Sequence, residues 1–121
     1  MDKMKEVFQF QKQYQKTLSG VDLPSKNVHL MKEFAMGIYT ELGEALAVDK
    51  SWKSWRKDQK TYNKERLNEE IADIWNFLIN FTLANDLDYE DIVNIIQFKQ
   101  GILLQRVKDG EINVDNSRGD R

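Results

Sequence analysis

The stretch "NEEIADIWNFLINFTL", residues 68–83, decides how this chain folds. From Trp75 onward it is apolar on nearly every side of a 3.6-residue helix, with Phe77, Leu78, Ile79, Phe81 and Leu83 crowded together. A helix of that kind must be covered by several neighbours. The pattern, with Leu67, Ile71 and Ile74 before it, predicts a third helix over about Lys64 to Ala84 at the centre of an all-α fold. Pro24 is the only proline, and the few glycines stand mostly where helices can end, so the rest of the chain also reads as helical.

Working outward, Val7, Phe10, Tyr14 and Leu18 recur at helical spacing and predict a first helix from Lys3 to Leu18, stopped by "SGVDLPS". Ser25 is the expected N-cap of a long second helix reaching about Val48, with an apolar arc through Leu30, Met31, Phe34, Ile38, Leu42, Ala45 and Leu46. A loop follows from Asp49 to Asn63. The fourth helix is expected to begin near Asp88, whose carboxylate is placed to cap it, and to run through Ile92, Ile95, Ile96, Ile102 and Leu103 to Val107. This is a compact bundle of four to five helices forming one domain over residues 1–110. Residues 111–121, polar and short of core residues, are expected to form a flexible tail. The "RGD" within it is too short a match to carry an adhesion role.

A chain of 121 residues supports one core but not two. With 18 basic and 20 acidic residues it lacks the bulk positive charge of a nucleic-acid-binding surface. The absence of cysteine excludes disulfides and thiolate metal sites, and a lone histidine, His29, excludes most structural zinc sites. His29 reads as a surface residue. No run resembles a signal peptide or a membrane span, so the expected compartment is the cytoplasm.

Against this background two acidic pairs stand out. On the second helix, counting about 100° per residue from Ile38, Phe34 lies near about −40°, Leu30 near about −80°, and Glu41 between them. Glu44 borders the arc at about −120°. On the third helix, counting from Ile74, Glu70 falls between Phe81 and Phe77, with Asp73 at about −100°. Two helices thus each carry an i, i+3 acidic pair with one member inside the apolar stripe. If the pairs face each other, each repulsion at about 5 Å is worth roughly 3 kcal/mol at an effective dielectric near 20. Either lysines and arginines at the rim compensate, or a cation does. Four carboxylates with no soft ligand suit Mg²⁺, with Mn²⁺ as a substitute, leaving room for water and phosphate oxygens. A di-iron site would need Glu-x-x-His pairs, and the residue three after Glu70 is Asp73.

The segment Lys50–Arg66, between the acidic pairs, holds seven basic residues against Asp58 and Glu65, a local net of plus five. Carboxylates that hold a metal, with cations beside them, suit a polyphosphate. Lys53 and Arg56 are the stronger phosphate candidates because they flank the tryptophans, whereas Lys57, Lys60 and Lys64 read as solvated surface. Trp52 and Trp55 offer planes that can stack on a base or pin the loop to the bundle.

"ELGE" at 41–44 and "EIAD" at 70–73 resemble the ExxE…ExxD signature of the all-α nucleoside triphosphate pyrophosphohydrolases, the superfamily of MazG-like proteins and dimeric dUTPases. Within it the chain is most similar to the dimeric dUTPases. Trp52, Lys53 and Trp55 resemble their Phe-Lys-x-Trp element, with Trp in place of Phe. "NEEIADIWNF" resembles their Glu-Glu-x-x-Asp stretch, with Asn76 where a histidine often stands. "FKQGILLQRVKDG" looks like their late Lys…Arg…Gly segment and so implies phosphate contacts from Lys99 and Arg106, with Leu103 where an asparagine is common. "FQKQ" resembles the first-helix element that meets uracil, which implies Gln11 as a base reader. The similarity covers most of residues 7–110 in a chain shorter than typical members, as in a compact, phage-like relative.

The resemblance implies hydrolysis of a nucleoside triphosphate, dUTP foremost, to monophosphate and pyrophosphate, with attack at the β-phosphorus by family precedent. Glu41, Glu44, Glu70 and Asp73 would hold Mg²⁺, and Glu44 or Glu41 would orient the attacking water. Asn76, one turn beyond Asp73, would read a base edge or the sugar, unless it is an ordinary exposed amide. Two alternatives remain: a MazG-like pyrophosphohydrolase of other or broad specificity, for example toward dCTP, and a non-enzymatic helical interaction module with structural acidic pairs. Under each, the apolar third helix predicts an oligomer, a homodimer before a tetramer, in which one site can draw on two chains.

Overall fold

The computed structural model describes residues 2–55 and 61–110, and four helices carry most of them. They are α1, Lys3–Ser19, α2, Val28–Val48, α3, Lys64–Leu83, and α4, Tyr89–Lys108. Among the described residues the nearest thing to a strand is an isolated bridge between Lys26 and Asn85. The expected all-α class and helix count hold. Arg56, Lys57, Lys60 and the expected tail at 111–121 lie outside the described residues. No helix among those described is long and apolar enough to cross a membrane. The chain divides into two units, Met1–Asp88 with α1 to α3 and Tyr89–Arg121 with α4.

In the first unit each helix start has a local cause. The Asp2 side chain accepts from the Met4 and Lys5 amides, and Asn63 caps α3 through the Arg66 amide at 3.0 Å. The cap of α2 differs from expectation: it is Asn27, whose Oδ1 accepts from the Leu30 amide at 2.9 Å. Ser25 is instead tied down elsewhere, its amide donating to the Leu83 carbonyl and its hydroxyl to the Asp22 carbonyl. Gly20 ends α1 at φ 74, the left-handed geometry that a glycine adopts without a Cβ penalty, and its amide donates to the Lys16 carbonyl.

The principal packing in this unit is α2 along α3. Leu30, Phe34 and Ala84 form the centre of a core completed by Val21, Met31, Phe77 and Phe81. The chain between α1 and α2 is sewn to the end of α3 by the Ser25–Leu83 and Asn27–Ala84 backbone bonds, and Leu83 and Ala84 are fully buried. Lys12 of α1 pairs with Asp88 at 2.8 Å, which ties α1 to the end of this unit. The first helix is where the spacing of Val7, Phe10, Tyr14 and Leu18 predicts it, but these four are exposed, and the residues it buries are Phe8, Gln11 and Gln15. Phe10, Tyr14 and Leu18 line an open cleft rather than a closed core, which leaves their outer surfaces accessible. Leu42 and Leu46 of the expected α2 arc are likewise exposed.

In the second unit α4 carries Glu90 and Asp91 in its first turn and Arg106 and Lys108 in its last, the polarity that complements the helix dipole. None of its residues is buried.

Candidate active site

The site is built where α2 runs along α3. One carboxylate oxygen from each of Glu41, Glu44 and Glu70 lies within 4.8 Å of the other two. The spacing explains this: Glu41 and Glu44 are one turn apart on α2, and Glu70 faces them because it shares α3's buried stripe with Phe77. Glu70 is buried, Glu41 half-buried and Glu44 exposed, so the triangle runs from the core to solvent. Asp73 stands outside the triangle, one turn along α3 from Glu70, where its charge still acts on Glu41.

The electrostatics are those of an uncompensated acidic cluster. Burial first, then a hydrogen bond with Glu70 and the charges of Glu44, Asp73 and Glu70, push the Glu41 carboxyl up to about 7. Two ionised carboxylates only accept hydrogen bonds, so the Glu41–Glu70 contact requires a proton on one of them or a cation between them. Glu70 Oε1 is buried with no donor among the described residues. Its other oxygen meets the exposed Arg66 Nε at 4.0 Å, the outer limit of an ion pair. Among the described residues, rim cations therefore do not neutralise the cluster. An unpartnered buried oxygen among hard carboxylate donors fits a divalent cation such as Mg²⁺.

A cleft of about 730 Å³ adjoins the cluster on the Asp73 side. Its walls come from three helices: Phe10, Gln11, Tyr14 and Gln15 of α1, Leu30 and Phe34 of α2, and Asp73, Asn76, Phe77 and Asn80 of α3. Apolar rings with a few amides make a surface suited to a flat, polar-edged ligand. Two base- or sugar-site candidates from the sequence, Gln11 and Asn76, are in this wall. Gln15, buried, and Asn80, buried with an unpartnered Oδ1, are there too and were not anticipated. The available signal was that amides interrupted two otherwise apolar helix faces.

Trp52, Lys53 and Trp55 are outside the cleft lining. Trp52 donates from Nε1 to the Leu46 carbonyl at 2.9 Å, which pins the loop to the end of α2. Trp55 packs edge-on against it at 5.8 Å, and Lys53 Nζ lies 5.2 Å from the Trp52 ring centre. Lys99 and Arg106 are two turns apart on one side of α4, in the second unit. His29 is exposed and bonded to Glu33 at 3.1 Å.

These features define a class: an all-α protein with a carboxylate cluster that could hold a metal ion, beside a cleft whose wall carries several amides. A family model described as dUTPase matches residues 3–113, and the chain belongs to this dUTPase family, a family of hydrolases. The resemblance carried by "ELGE" and "EIAD" is borne out at that level. No curated protein and no solved structure matches the chain.

Proposed function

We propose that this protein hydrolyses dUTP to dUMP and pyrophosphate in a Mg²⁺-dependent reaction. The observation that carries the reading is the triangle of Glu41, Glu44 and Glu70 within 4.8 Å, with an unpartnered buried oxygen, beside a cleft that holds Gln11 and Asn76. Glu41, Glu44 and Glu70 would hold the ion, with Asp73 completing the set on the cleft side. When bound there, Mg²⁺ supplies charge neutralisation of the triphosphate and acidification of water.

The chain's own residues do the rest. Glu44, the exposed member of the triangle, is open to the solvent that supplies the attacking water, and we assign it as the general base, with Glu41 as its neighbour in orienting that water. The water oxygen bonds to phosphorus, the α–β bridging P–O bond breaks, and the water's proton passes to the carboxylate. Lys53 neutralises phosphate oxygens, and Trp52 holds the loop that carries it; the sequence assigns the same role to Arg56, and the resemblance assigns it to Lys99 and Arg106. Gln11 and Asn76 meet the base and sugar. The exposed Trp75, Ile71 and Leu78 of α3 support a homodimer, with a tetramer as the larger alternative.

A second reading, a pyrophosphohydrolase of other specificity such as dCTP, has one observation in its favour. The cleft wall carries the amides of Gln11, Gln15, Asn76 and Asn80 beside Glu33 and Ser19, and an amide presents a donor and an acceptor and so can meet a cytosine edge as well as a uracil edge. Product analysis over the common deoxy- and ribonucleoside triphosphates separates the two. Turnover of dUTP alone supports the first, and turnover of dCTP or of many bases supports the second. A folded protein that releases no pyrophosphate from any of them overturns both.

A further inference from the structure

Resting on the reading of the cleft as a nucleoside site, we propose that Asn80 is a base-reading residue whose side-chain oxygen accepts a hydrogen bond from the Watson–Crick edge of a bound pyrimidine. Asn80 is 4% exposed, and its Oδ1 has no hydrogen-bond partner among the described residues. Buried polar atoms are almost always satisfied, so an orphaned acceptor in a cavity wall is a group that a ligand donor completes.

Its position along α3 fits that ligand. Asp73, Asn76, Phe77 and Asn80 all line the cleft, at the i, i+3, i+4, i+7 spacing of one helix face. Seven residues at 1.5 Å each put Asn80 about 10 Å along the helix from Asp73, roughly the span from a nucleotide's phosphates to the outer edge of its base. With phosphates at the carboxylate end, Asn76 falls at the level of the sugar and Asn80 at the level of the base. Phe34 and Phe77, whose ring centres are 6.5 Å apart, supply the apolar wall beside it. In such surroundings an unmet amide oxygen discriminates strongly against a ligand that lacks a donor there. The same oxygen can accept from the N3–H of uracil or from the N4 amino group of cytosine, both donors on that edge. Asn80 therefore reads the presence of the edge and leaves the choice between those two bases to its neighbours.

The test compares wild type, Asn80→Leu and Asn80→Ala in three measurements: kcat and KM for dUTP with Mg²⁺, metal-free binding of dUMP, and binding of pyrophosphate with Mg²⁺. The expected result is a KM for dUTP and a Kd for dUMP raised about tenfold or more, with kcat and pyrophosphate binding retained. Asn80→Leu should also melt no lower than wild type, because it removes an unpartnered buried amide. Unchanged KM and dUMP affinity in both variants would overturn the inference. So would an equal loss of dUMP and pyrophosphate binding, which marks a purely structural role. If the wild type itself turns over no nucleotide, the proposed function falls, and this inference falls with it.

Discussion

Gly37 of α2 sits directly against the ring of Phe77 of α3: a Cβ added at Gly37 would stand 2.6 Å from two ring carbons and 2.8 Å from a third. Phe77 also packs on Phe34 and lines the cleft, so the closeness of α2 to α3 at this point sets one wall of the proposed nucleoside site.

Gly37→Ala therefore forces the Phe77 ring to move. Overpacking of this kind costs about 1–3 kcal/mol, offset in part by about 1 kcal/mol of improved helix propensity. The expected outcome is a Tm equal to or modestly below wild type, with a several-fold increase in KM for the nucleotide. Chemical denaturation and steady-state kinetics on the same preparation check both halves.

The raised Glu41 carboxyl gives a pH dependence with a defined sign. The folded protein holds this proton up to about 7, while the unfolded chain releases it near 4.5. Between those values the folded state binds more protons, so without metal the contribution of Glu41 to stability falls as pH rises through that window. A cation competes with the same proton. Thermal melts should show a larger Mg²⁺-induced rise in Tm at pH 8 than at pH 6, and Glu41→Gln should abolish the Mg²⁺ effect and flatten the metal-free profile.

Glu70→Gln isolates the buried corner of the triangle. The amide removes one negative charge and gives Glu41 a donor, so the metal-free protein should be as stable as wild type or more so. Turnover should fall by at least a hundredfold, the order expected for losing an electrostatic component of catalysis. Retained turnover in this variant would mean that Glu70 is structural and does not take part in the reaction.

Trp52 and Trp55 should separate cleanly. Trp52→Phe loses the bond to the Leu46 carbonyl, worth about 1 kcal/mol, and should loosen the loop without unfolding the bundle. Trp55, 70% exposed, should tolerate Phe with no change in Tm. Hydrogen exchange across residues 50–55 reads the difference.

The sequence made the helices legible because their apolar periodicity is strong, and it made the acidic pairs legible because Glu41 and Glu70 interrupt that periodicity. The triangle of Glu41, Glu44 and Glu70 is the physical counterpart of that interruption. The α2 cap was misread because Ser25 and Asn27 are both good caps, and the choice depends on a long-range backbone bond from Ser25 to Leu83. On α1, periodicity shows which residues share a face but not whether that face meets a core or an open cleft, so it carried the helix through Phe10 and Tyr14 and left Gln15 unnoticed. Asn80 was missed for a related reason: within "FLINFTL" a single amide reads as a weak spot in an apolar helix, and only the three-helix arrangement reveals that it faces a cavity with no partner.

The central claim is that the carboxylate cluster carries out pyrophosphohydrolysis of dUTP. Its most direct test is to score dUMP and pyrophosphate released from dUTP by wild type and by Glu70→Gln, with and without Mg²⁺. The account predicts equimolar dUMP and pyrophosphate from wild type only when Mg²⁺ is present, and almost none from Glu70→Gln. Product formation without a divalent cation, equal turnover by the variant, or no product from a folded wild-type protein would contradict it.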